Sequence, residues 1–85
     1  MPKQIKSLQE LKSESDQGAE FFILLGVRGT VRSSKWILWD QEENVFIIRN
    51  FIDESEQELT EQQIMDKSFT NIGYAMTKGA LFKDD

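Results

Sequence analysis

The stretch EFFILLGVRGTVRSSKWILWDQEENVFIIRNFI, residues 20–52, decides the fold. It contains three apolar segments that are rich in β-branched and aromatic residues and too short for buried helices, at 20–26, 30–40 and 45–52. The segment Val27–Gly29 is typical of a turn in which Gly29 adopts a positive φ, and residues 40–44 have the polarity of a hairpin loop. Because short connections join successive strands, the sequence predicts a three-stranded antiparallel β-meander.

Helix-capping patterns flank these strands. Ser7 followed by Glu10, and Thr60 followed by Gln63, both match the capping box, in which side chains satisfy unpaired backbone donors of the first turn. The first pattern predicts a short helix that ends within the turn-rich residues 13–18. The second predicts a helix after the strands.

A last helix is predicted from Ser68 or Thr70 to Lys78, with Gly79 as a left-handed cap. Gly73 inside it costs about 1 kcal/mol relative to alanine. Either close packing against the sheet or fraying of the first turn would explain a glycine there. The predicted fold class is therefore α+β, in the order α-β-β-β-α-α, with one helix before the meander and two after it. A chain of 85 residues has room for one such domain, spanning 1–85.

The predicted strands are apolar on both faces. In the second strand, Trp36 and Leu38 point one way while Ile37 and Trp39 point the other. Two arrangements satisfy this pattern. In the first, helices cover both faces, with the N-terminal helix on one and the C-terminal pair on the other. Alternatively, one face stays uncovered and serves as a dimer or partner surface.

The composition argues against catalysis and cofactors. The chain has no histidine and no cysteine, the two most versatile side chains for proton transfer and nucleophilic attack. We therefore expect no enzyme, no cofactor and no small-molecule substrate.

Residues 53–64 resemble a calcium-binding loop in part but lack two of its required residues. Asp53, Ser55 and Gln57 place oxygens two residues apart, as in a calcium-binding loop. However, Glu58 stands where a glycine should make the sharp turn, and Ile64 stands where a bidentate glutamate is needed. No metal site is predicted.

The location expected from the sequence is the cytoplasm. The absence of cysteine suits a reducing compartment. The N-terminus lacks the apolar segment of a signal peptide, and the longest apolar run, Phe21–Leu25, is far below the roughly 20 residues that span a bilayer.

Cations and tryptophans on the strands form the candidate interaction surface, which consists of Trp36, Trp39, Arg28, Arg32, Lys35 and Arg49. Such residues on a sheet can stack and neutralise single-stranded nucleic acid. Period-two spacing, however, puts Arg32 with Trp36 on one face and Lys35 with Trp39 on the other. A net charge of −5 also disfavours general nucleic-acid binding.

The acids are concentrated in residues 53–66, which contain six of them and no base. This pattern indicates a solvated loop and helix start, or a negative surface for a basic partner. The function that we predict is a non-enzymatic protein-interaction domain, with self-association through an apolar sheet face as one form. Single-stranded nucleic-acid binding is the alternative.

Overall fold

The computed structural model describes residues 2–27, 30–66, 68 and 70–84. Within these residues the chain is α+β, with six strands in one antiparallel sheet and three short helices. In chain order the elements are β1 (Lys3–Gln4), α1 (Leu8–Glu14), β2 (Ala19–Leu25), β3 (Val31–Asp40), β4 (Val45–Asn50), β5 (Glu56–Leu59), α2 (Glu61–Met65), α3 (Ile72–Thr77) and β6 (Leu81–Lys83).

The predicted fold class is confirmed, but the predicted number of strands is wrong. The strand order in the sheet is β1-β6-β2-β3-β4-β5, and the central β2, β3 and β4 are the three strands of the expected meander. The three additional strands are short, with two, four and three residues in β1, β5 and β6. Their sequences lack an apolar alternation, and their pairing with longer strands is what makes them extended.

The pairing register divides the sheet into two faces. On one face Ile37 lies opposite Ile48 and Trp39 lies opposite Phe46. We call this the helical face, because its side chains share one core with the helices. The buried members of this core are Ile5, Leu11, Phe21, Ile23, Ile37, Trp39, Phe46, Ile48, Leu59, Ile64, Ile72, Ala75, Met76 and Leu81.

All three helices cover the same face of the sheet. The buried apolar side chains of α1, α2 and α3, among them Leu11, Ile64 and Ile72, all belong to the core of the helical face. Of the two arrangements left open by the sequence, the one with the N-terminal helix on one face and the C-terminal pair on the other is therefore wrong. In the described part of the chain, no helix contributes a buried apolar side chain to the opposite face, which we call the open face.

The helix caps follow the sequence closely. The hydroxyl of Ser7 accepts a hydrogen bond from the backbone N–H of Glu10 at 3.2 Å. Thr60 and Gln63 form the complete capping box, with reciprocal distances of 3.0 and 3.1 Å. Gly79 has a φ of 69°, as expected for a left-handed cap after the last helix. That helix begins at Ile72, later than predicted.

Close packing explains Gly73, but the neighbour is a helix and not the sheet. A Cβ at this position would lie 2.6 Å from the Cα of Met65 and 3.0 Å from the carbonyl oxygen of Ile64. Both atoms belong to the backbone of α2. Only a glycine lets α3 approach α2 this closely.

The connections between the central strands agree with their polar sequences. The carboxylate of Asp40 accepts hydrogen bonds from the N–H groups of Glu42 and Glu43, and Asn44 has a φ of 59°. The turn predicted at Val27–Gly29 falls partly on Arg28 and Gly29, which lie outside the described residues.

Candidate interaction surface

The open face carries a band of large apolar side chains that crosses the sheet. Register pairs Phe22 with Phe82 and Leu38 with Ile47 on this face. The apolar members of the band are Phe22, Leu24, Trp36, Leu38, Val45, Ile47 and Phe82. Phe22 is only 4% exposed, and the others are partly exposed. The band is therefore in contact with solvent but shielded to different degrees.

An arginine shields the aromatic pair at one end of the band. The rings of Phe22 and Phe82 stack with centroids 5.4 Å apart. The guanidinium carbon of Arg32 lies 4.0 Å from the centroid of the Phe22 ring, and its Nη2 lies 3.0 Å from Oδ2 of Asp84. The carboxylate holds the arginine over the ring, where a cation–π contact is favourable.

A second arginine repeats this arrangement over the tryptophan. The guanidinium carbon of Arg49 lies 4.9 Å from the centroid of Trp36. Its Nη2 and Nε lie 2.6 and 3.1 Å from Oε1 of Glu56. The indole also covers Gly18, where a Cβ would lie 2.6 Å from Cζ2 of Trp36. Trp36 thus lies flat on the sheet and is only partly exposed.

Two of the remaining predicted site residues, Trp39 and Lys35, lie away from this surface. Trp39 is 6% exposed and packs in the core, with its ring centroid 4.5 Å from that of Phe46. Lys35 lies opposite Phe21 in the register and so belongs to the helical face. Arg28 lies outside the described residues. The period-two division between the faces is confirmed, and it separates Lys35 from Arg32 and Arg49.

The acidic segment is partly a strand. The sequence predicts residues 56–59 as part of a solvated loop, but they form β5 at one edge of the sheet. They are extended because they pair with β4. Glu56 and Glu58 lie opposite Arg49 and Ile47, on the open face. Because the sheet imposes period two, these carboxylates line the border of the apolar band.

Two carboxyl groups have shifted pKa values. Hydrogen bonds from the hydroxyl and N–H of Ser55 lower the pKa of Asp53. Hydrogen bonds from Lys3 and Lys83, at 2.6 and 3.0 Å, lower the pKa of Glu14. Both shifts favour the charged form, so neither carboxyl group is prepared to act as an acid near neutral pH.

Open depressions on the described surface include one beside α1 and one beside the β4–β5 turn. One of about 320 Å³ lies beside α1 and is lined by Lys12, Trp39 and polar side chains. The other, of about 460 Å³, is lined by Arg49, Phe51, Glu54 and Glu56 beside the β4–β5 turn. In the ranges that the structure describes, no group of three or more carboxylates is arranged to hold a metal ion.

No family model, curated protein or solved structure matches the chain. Among the described residues, no helix is long and apolar enough to cross a membrane. The function proposed below therefore rests on the burial, shape and charge of the surface residues.

Sequence reasoning missed the residues that hold the two arginines. Asp84 and Phe82 reach the open face only because β6 inserts between β1 and β2. Glu56 reaches it only through β5. The two-residue alternation of a strand predicts that Phe22 and Phe21 lie on different faces of the sheet. No signal in the sequence, however, predicts that Phe22 packs against Phe82.

Proposed function

We propose that this chain is a non-enzymatic protein-interaction domain that forms a homodimer by packing the open faces of two sheets against each other. One observation carries the proposal. All three helices cover the helical face, while the opposite face carries a band of large apolar side chains that includes Trp36. Two such bands would shield each other from water in a face-to-face sheet packing.

The size of the face sets the strength of this dimer. With strands about 4.8 Å apart and a rise of about 3.3 Å per residue, five strands of about six residues cover about 500 Å². Two such surfaces bury about 1,000 Å², which is at the low end for specific complexes and typical of transient ones. We expect a micromolar or weaker dimer in rapid exchange.

Electrostatics predict the effect of salt on the dimer. Each chain carries a net charge of −5, so two chains repel each other. Raising the salt concentration screens this repulsion and strengthens hydrophobic burial, so dimerisation should tighten with salt. Binding to nucleic acid shows the opposite dependence, because it releases counterions.

Sedimentation equilibrium across protein concentration, at about 0.1 and about 0.5 M salt, tests the proposal. Trp36→Ala should weaken the dimer without unfolding the chain, because Trp36 lies on the open face. Tyr74→Ala is the matched control, since it removes an exposed aromatic side chain from α3 and should leave the dimer unchanged. A chain that stays monomeric at about 1 mM and high salt would refute dimerisation, because an interface of about 1,000 Å² should show some association there.

Nucleic-acid binding is the second candidate, since Arg32 and Arg49 share the open face with Trp36. Both arginines are already paired, with Asp84 and Glu56, which reduces their capacity to neutralise phosphates. Titration with single-stranded oligonucleotides decides between the two candidates. Binding that weakens with salt would favour this candidate over the protein partner.

A further inference from the structure

We propose that the outer edge of β5 accepts an extended basic segment of another protein as an additional antiparallel strand. Its hydrogen bonds use the backbone at the edge of the sheet, whereas the proposed dimer uses the open face, which the side chains of Glu56 and Glu58 border. β5 is the last strand on its side, with four residues, whereas the opposite edge strand has two. It therefore offers the longer edge for pairing by strand addition.

The register of β4 and β5 shows which backbone groups point outward. The N–H of Asn50 donates to the carbonyl of Ser55 at 2.9 Å, so this pair is hydrogen-bonded. Hydrogen-bonded and non-hydrogen-bonded pairs alternate along an antiparallel ladder. Gln57 is therefore hydrogen-bonded to β4, whereas the N–H and C=O groups of Glu56 and Glu58 point away from it. An added strand would hydrogen-bond to these two residues.

The same two residues select the charge of that strand. Glu56 and Glu58 are exposed, and their side chains lie two residues apart on one face. Residues of an added strand directly opposite them would have Cβ atoms about 5 Å away, close enough for a charge pair. Lysine or arginine is favoured most strongly opposite Glu58, because Oε1 of Glu56 already binds Arg49.

This selection also excludes a second copy of β5. An antiparallel β5–β5 pair centred on Gln57 would place Glu56 opposite Glu58 of the second copy, where like charges repel. Charged edges protect sheets from unwanted pairing in this way. A basic strand can still pair with β5, because its cations are attracted to the carboxylates that repel a second β5.

The depression beside the β4–β5 turn extends the site. An antiparallel strand that continues past Glu56 reaches this depression of about 460 Å³, which is lined by Arg49, Phe51, Glu54 and Glu56. Phe51 is 47% exposed and offers an apolar surface for an aliphatic side chain of the partner. Arg49 lines the same depression, so an apolar residue of the partner fits there better than a third cation.

The probe for this site is a fluorescein-labelled peptide of eight residues with the core Val-Lys-Val-Arg-Val, measured by anisotropy against the wild-type chain at about 0.1 M salt. N-methylation of its Lys and Arg removes the N–H groups that face β5 and should weaken binding at least tenfold. N-methylation of the valine between them removes an N–H that faces away, and should change binding less than about twofold. Equal binding of both methylated peptides, or no binding of the unmodified peptide at about 1 mM, would overturn the proposal.

Charge variants of the protein test the selection separately. Glu58→Lys should weaken binding of the basic peptide by about three- to tenfold, because an attractive cross-strand pair becomes a repulsive one. Glu43→Lys is the matched control, with the same charge change in the exposed β3–β4 loop. A peptide with glutamates in place of its cations should bind the Glu58→Lys variant better than the wild type. An equal loss in both variants would show that net charge alone attracts the peptide, and would refute the edge site.

Discussion

Replacement of Gly73 with alanine should destabilise the fold by about 1–2 kcal/mol, although alanine is the better helix former. The new Cβ would lie 2.6 Å from the Cα and 2.9 Å from the carbonyl oxygen of Met65. Since both are backbone atoms, no side-chain rotation relieves the contact, and α3 must move away from α2.

Two opposing terms give this magnitude. Overpacking of a well-packed site costs typically about 1–3 kcal/mol. The higher helix propensity of alanine offsets at most about 1 kcal/mol. Gly73 is the second residue of α3, where the effect of propensity is smaller than in a helix interior, so the overpacking cost prevails. For a chain of this length, the expected change lowers the melting temperature by about 4–16 °C.

Urea denaturation followed by circular dichroism measures the change as a lower midpoint with an unchanged m-value. Ser13→Ala is the control, because Ser13 is an exposed position in α1 where alanine raises helix propensity without a new contact. It should leave the midpoint unchanged or slightly higher. If Gly73→Ala raised the midpoint, the close approach of α2 and α3 would be incorrect.

Two further variants test the polar contacts of the fold. Glu14 holds β1 and β6 to α1 through Lys3 and Lys83, and its pKa is lowered in the folded chain. The stability that Glu14 contributes is therefore complete above the ordinary glutamate pKa of about 4.3, and it is lost as the pH falls through the lowered pKa. The unfolding free energies of the wild type and Glu14→Gln should therefore differ at pH 7 and become equal in acid. Thr60→Ala removes one half of the reciprocal cap with Gln63 and should cost about 1 kcal/mol in urea denaturation, and an unchanged midpoint would contradict the capping role.

The central strands and the starts of α1 and α2 could be predicted from the sequence because their signals are local. The runs of β-branched and aromatic residues favour extended structure, because such side chains pack well on a pleated, half-buried surface. Ser7 and Thr60 satisfy backbone donors that lie three residues away, so their caps depend on nothing distant. The division of Trp36 and Trp39 between two faces follows in the same way from the period of a strand.

The edge strands and the side of the sheet that the helices cover required the tertiary structure. With four and three residues, β5 and β6 are too short to form strands alone, and pairing with β4 and β2 keeps them extended. The contacts of Arg32 with Asp84 and of Arg49 with Glu56 depend on those strands. The sequence thus determined which side chains of each central strand share a face of the sheet, because this depends on local backbone geometry. Only long-range packing decided which face stays open and which edge stays unpaired, because each depends on segments distant in the chain.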